Sequence, residues 1–160
     1  MNVSKIMTQN VQSCRLGDSL ETAAAIMWKH DIGCLPVQNS SGEIVGMITD
    51  RDICMACYTQ GLAPHDIRVM SAMSQAVFSC GPDDSVQQAA ITMSSHQVRR
   101  LPVLGNSGKL IGIISLNDLA RETEQEIDQK KQEIRPTDLT NTLAAICQPR
   151  EVPSLSSVSE

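Results

Sequence analysis

Sliding the sequence against itself by 66 residues aligns positions 4–54 with 70–120 without a gap, and about 19 of the 51 pairs are identical. A period of this length with only two copies describes a paired module, not a solenoid. The chain has 160 residues, enough for two small units and a tail and too few for a large catalytic domain.

The matched positions set the local structure. Asp18, Ser19 and Glu21 align with Asp84, Ser85 and Gln87, so each copy has a capping residue followed by an acid or amide, and a helix starts there. Apolar residues at Leu20, Ala23, Ala24 and Met27, and at Val86, Ala89, Ala90 and Met93, recur at helical spacing and predict one buried face. The Met and Ala choice is core filling, not a cofactor box.

After each helix comes a short apolar run (34–37, 101–104), a polar turn (39–42, 105–108) and a second run (44–49, 110–115). Gly and Asn tolerate the positive φ of tight connections, so these are two strands of a hairpin. Pro36 and Pro102 lack an N–H, which places them at a strand end or sheet edge. With a further helix from about Asp50 or Leu116, and a β-like piece at 11–14 or 77–80, each copy reads β-α-β-β-α, an α+β fold. Outside the repeat, 121–132 is charged and reads as a solvated helix broken by Pro136. Leu139, Leu143 and Ile146 then outline a short amphipathic helix. The Ser-rich residues from Pro153 onward have the composition of disorder. The expected division is a first unit at 1–61, a second at 62–124 and a helical, partly disordered tail at 125–160.

A net charge of −5 and a pI near 5.1 argue against nucleic acid or anionic lipid as the main partner. No apolar run has the length of a signal peptide core or membrane span, so the chain reads as cytoplasmic and its six cysteines as reduced thiols. Cys54 and Cys57 form a C-x-x-C pair, but a tetrahedral zinc site needs two more ligands, and neither the other cysteines nor His30, His65 and His96 stand at metal-ligand spacing. No metal site is expected. No Ser-His-Asp pattern, P-loop or dinucleotide glycine fingerprint is present, so the chain does not read as an enzyme. His30 and His96, near helix ends, read as C-terminal caps. The only aromatic residues are Trp28, Tyr58 and Phe78, so a bound base would be gripped by aliphatic side chains.

The motifs GMITDRD (46–52) and GIISLND (112–118), with GCLPV (33–37) and RRLPV (99–103), are ordered, duplicated and spread over most of 1–122. In this pattern the chain resembles a tandem CBS-domain protein. The resemblance implies two copies packed around a pseudo-twofold axis, with two clefts that hold adenosine-containing regulatory ligands. Members take AMP, ADP, ATP, S-adenosylmethionine, NAD or cyclic dinucleotides, and some take no nucleotide. It also implies a homodimer and an unidentified protein target, with AMP, ADP or ATP as a regulatory ligand and no required cofactor.

Thr49 and Ser115 stand where a strand gives way to a helix, so their side chains cap it and the free N–H groups attract phosphate. Asp52 and Asp118, three residues on, are acceptor-only when ionised and suit the vicinal hydroxyls of a ribose, the role the resemblance implies. A plain capping box is the alternative. Arg99 and Arg100 precede the second LPV, and strand alternation sends them to opposite faces, one toward the cleft. Their counterparts are Gly33 and Cys34, so the clefts are expected to differ, the arginine-bearing one preferring phosphorylated ligands. Arg51 is a further basic candidate, Thr8 and Ser74 are candidates for a cleft wall, and Pro36, Val37, Pro102 and Val103 for an aliphatic adenine slot, with core packing as their other role. The competing function is an interaction scaffold of the same fold that works through dimerisation and tail contacts.

Overall fold

A computed structural model describes residues 1–125 and 134–149. The first copy contains β1 (Cys14–Arg15), α1 (Leu20–His30), β2 (Cys34–Gln38), β3 (Ile44–Thr49) and α2 (Asp50–Gln60). The second contains α3 (Val86–His96), β4 (Arg100–Leu104), β5 (Leu110–Ser115) and α4 (Leu116–Gln125), and α5 (Pro136–Ile146) follows. The β-like piece of the second copy is reduced to one bridge between Cys80 and Val103.

Local signals act as the sequence predicts at the helix starts, where Ser19 Oγ accepts from the Thr22 N–H and Ser85 Oγ from the Gln88 N–H. The helix ends differ from expectation. His30 and His96 are the last helical residues, and the caps are Asp31 and Gln97, left-handed at φ 52° and 51°. The hairpins turn on Gly42 and Gly108 with φ 80° and 71°. Pro36 and Pro102 are not at strand ends but in mid-strand, opposite Met47 and Ile113. Pro102 is on a sheet edge as expected: its carbonyl accepts from Cys80, whose own carbonyl accepts from Leu104, so the proline nitrogen faces the outer edge of β4, whereas Pro36 lies in β2, the central strand of the order β1-β2-β3.

Two apolar cores form, one per copy, and each borrows from the other end of the chain. Val3 belongs to the second core with Val86, Met93, Leu101 and Ile114, whereas Ile67 and Val69 belong to the first with Leu20, Leu35 and Ile48. Thus the segment preceding each repeat is tied to the opposite copy. The motif glycines permit this crossing. A Cβ on Gly46 would stand 2.8 Å from Ser74 O, and one on Gly112 would stand 3.2 Å from Thr8 O.

The isolated bridges fix the symmetry. Thr8–Ile113 and Met47–Ser74 exchange under a shift of 66 residues, as do Asn2–Ser85 and Ser19–Arg68, and Glu43–Lys109 joins a residue to its own repeat partner. A pseudo-twofold axis therefore passes beside Glu43 and Lys109.

α5 lies on α3 and α4 and adds Ile146 to the second core, with Ile134 just before it. The amphipathic reading of 139–146 holds, and Pro136 opens this helix, at a position where no N–H is required. α4 is not wholly solvated, since Thr123 is buried. The remainder of the charged segment, 126–133, and the Ser-rich end from 150 lie outside the described residues.

Candidate functional site

Five of the residues singled out from sequence meet in one cleft of about 390 Å³ between the copies: Thr8, Gly33, Arg100, Ser115 and Asp118. They come from four places in the chain. Thr8 is set by its two backbone bonds to Ile113 at the edge of β5, Gly33 leads into β2, Arg100 opens β4, and Ser115 and Asp118 span the junction of β5 with α4.

At that junction Asp118 Oδ2 accepts from the Ser115 N–H at 2.8 Å and the Ser115 hydroxyl at 2.6 Å, while Ser115 Oγ accepts from the Asp118 N–H at 3.3 Å. Oδ1 accepts from Arg121, one turn along α4. Asp118 is 5% exposed, so it is a buried carboxylate held by a reciprocal cap on one oxygen and a guanidinium on the other. The free N–H groups expected at this helix start are partly used, since that of Leu116 donates to Arg99 O. The cationic side chains Arg100 and Arg121 both line the cleft.

Arg100 and Cys34 are repeat partners that both face this cleft, so they too flank the pseudo-twofold axis. Burial pushes the Cys34 thiol up, Arg100 draws it back by charge and by a hydrogen bond, and Asp50 raises it. Arg99, by contrast, is exposed and lies just before β4, and it does not line this cleft.

The other candidates lie elsewhere. Thr49 and Asp52 build the same capping box in the first copy, with Asp52 Oδ2 accepting from the Thr49 hydroxyl at 2.7 Å and N–H at 2.8 Å. Ser74 is bridged to Met47 and exposed, as is Arg51. Pro36, Val37, Pro102 and Val103 are buried, Val37 and Val103 inside the two cores, and none of the four lines this cleft. The apolar wall of the cleft comes from Val11, Ile32 and Ile113. Ile32 and Ile113 could have been found from their neighbours, since one precedes Gly33 and the other lies two residues before Ser115. On the repeat-related side, the places of Gln12 and His30 are taken by Phe78 and His96, whose rings stack at 3.7 Å and 12°.

Both copies match the family model of the CBS domain, over residues 3–58 and 66–124. The chain is a CBS-domain protein. The CBS domain-containing protein YhcV of Bacillus subtilis (strain 168) is 34% identical to it over 140 residues, 88% of this chain and 94% of the relative. Among solved structures, the CBS domain pair of protein MJ0100 in complex with 5'-methylthioadenosine and S-adenosyl-L-methionine superposes with a TM-score of 0.71 at 26% identity, covering 79% of this chain and 98% of that one. CBSX2 in complex with AMP gives 0.67 at 25% identity, covering 78% and 96%. Both of these solved structures thus hold adenosine-containing ligands.

In this CBS pair the C-x-x-C motif lies on α2, Cys54 exposed and Cys57 half-buried. Among the described residues no three His, Cys, Asp or Glu side chains come together as metal ligands, and no helix is long and apolar enough to cross a membrane.

Proposed function

We propose that this CBS pair is a cytoplasmic regulatory module that takes an adenosine nucleotide of the AMP, ADP or ATP class in the cleft between its repeats and signals occupancy to a protein partner, with no chemistry of its own. The observation that carries it is the convergence of Thr8, Arg100, Ser115 and Asp118 on one cleft. Ile32 and Ile113 offer aliphatic surface to a base, Asp118 offers acceptors to a ribose, and Arg100 and Arg121 offer donors to phosphate. A nucleotide touching both copies would favour one relative orientation of them, provided it binds the two orientations unequally.

One observation favours the interaction scaffold instead: both oxygens of Asp118 are already engaged by Ser115 and Arg121. A melting-temperature series with AMP, ADP, ATP, S-adenosylmethionine, NAD and a cyclic dinucleotide separates the two readings. A ligand at a hundredfold excess over Kd stabilises by about 2.7 kcal/mol. The expected result is a selective rise that Asp118→Ala abolishes and Asp52→Ala leaves in place. No rise with any ligand, in protein free of co-purified nucleotide, makes the chain a scaffold.

A further inference from the structure

α5 occupies a groove that the repeat duplicates. On the second copy Ile146 joins, and Leu139 packs against, the core that holds Ala90 and Met93 of α3 and Leu119 of α4, and Gln97 Nε2 donates to the carbonyls of Ala145 and Gln148 at 3.2 Å each, closing the helix C-terminus. Shifted back by 66 residues, those positions become Ala24, Met27, Ile53 and Asp31, and these four line a second groove of about 390 Å³ between α1 and α2. This groove is open to solvent, and Trp28 on its rim is 91% exposed.

The floor is alike in the two grooves, but the ends differ in charge. Where the second copy has Gln97 and Leu116, the first has Asp31 and Asp50. A carboxylate cannot donate to helix carbonyls and repels the negative end of a helix, while it attracts a helix N-terminus or a basic side chain. Asp31 and Asp50 therefore suit a helix end of the opposite polarity to the one that Gln97 closes.

We propose that the α1/α2 groove is a docking site for one amphipathic helix of a partner protein, its aliphatic stripe on Ala24, Met27 and Ile53 and its lysine- or arginine-bearing N-terminal end on Asp31 and Asp50. Asp31, Ile32 and Gly33 line this groove and also the cleft between the copies. Ligand and partner therefore share one wall, and that coupling, unlike the docking, rests on the proposed function.

Trp28 is the chain's single tryptophan and reports docking directly. The probes are two synthetic helical peptides that carry the stripe of Leu139, Thr142 and Ile146, one with two lysines in its first turn and one with two glutamates. The lysine peptide is expected to move Trp28 emission to shorter wavelength and to bind at least tenfold more tightly than its twin. Asp31→Gln, which installs the residue already tolerated at the same φ in the second copy, should erase that preference, and Asp50→Asn should weaken it. No change in emission with either peptide, or equal binding of both, overturns the proposal. So does a concentration-dependent dimer that Trp28→Glu dissociates, which would make a second copy the occupant. Peptide docking without any nucleotide-induced melting shift would remove the proposed function and leave the docking site standing.

Discussion

Arg121 holds Oδ1 of Asp118 while Ser115 holds Oδ2. The guanidinium is 68% exposed and its partner carboxylate 4% exposed, so one long side chain closes a buried acceptor from outside and can swing away from it. A ribose hydroxyl would have to displace Arg121, and a phosphate could then receive it. Arg121→Ala should therefore improve the binding of uncharged adenosine and impair that of ATP, lowering the ATP-to-adenosine preference about tenfold, or about 1.4 kcal/mol. Titration calorimetry with the two ligands checks this, and an unchanged ratio would mean that Arg121 is not a phosphate contact.

The crossing of chain segments over the motif glycines makes those glycines structural. At Gly46 an added Cβ meets the backbone carbonyl of Ser74 at 2.8 Å as well as the Met73 side chain, whereas at Gly112 the closest atom is the movable Met7 Sδ and the Thr8 carbonyl is 3.2 Å away. Gly46→Ala is expected to cost about 1–3 kcal/mol, the ordinary range for forced overpacking, and Gly112→Ala less. Urea unfolding of both variants tests the order.

How far the sequence could be read follows from which interactions are local. Caps at Ser19 and Ser85, hairpins at Gly42 and Gly108, and the helix faces ending at Met27 and Met93 depend on neighbours within a few residues, and the repeat states each of them twice. The exchange of Val3 for Ile67 and Val69 between cores depends on how the copies meet, which no local pattern encodes. The same division applies to the site. Ser115 and Asp118 were legible as a cap, but Arg121 engages Asp118 through a rotamer choice, and Val37 and Val103 face the cores because of the sheet's pairing. Pro102 meets the edge half of its expectation while sitting in mid-strand, because only the N–H side of the strand matters.

Cys14 and Cys80 are repeat partners, and burial first, with Asp18 and Asp84 adding to it, pushes each thiol up to about 12 from an ordinary value of 9.0. Between those values the unfolded chain loses thiol protons that the native chain keeps, so the stabilisation is complete below about pH 9 and is lost as pH rises toward 12. Unfolding free energy should decline with alkaline pH over that window, and more shallowly in Cys14→Ala. Thiol labelling near neutral pH should follow exposure, Cys54 and Cys147 first, Cys57 next, and Cys14, Cys34 and Cys80 only on unfolding.

α5 is the one described helix outside the repeat, and its packing states which of its residues hold it. Ile146 is 8% exposed within the second core, whereas Leu143 is 45% exposed on the same helix. Ile146→Ala deletes buried methyl groups and leaves a cavity that the flanking helices α3 and α4 can fill only in part, a loss of roughly 2–5 kcal/mol. Leu143→Ala removes a side chain already half in water and should cost well under that. Gln97→Ala leaves the carbonyls of Ala145 and Gln148 without their shared donor, so hydrogen exchange at the end of α5 should quicken with little change at its centre. Because Gln97 caps α3 as well, its left-handed φ makes Gln97→Gly the informative companion. It removes the same donor while relieving the backbone, so if fraying of α5 is equal in both variants the lost side-chain bonds are the cause, and if Gln97→Gly frays α5 less, the strained cap of α3 is.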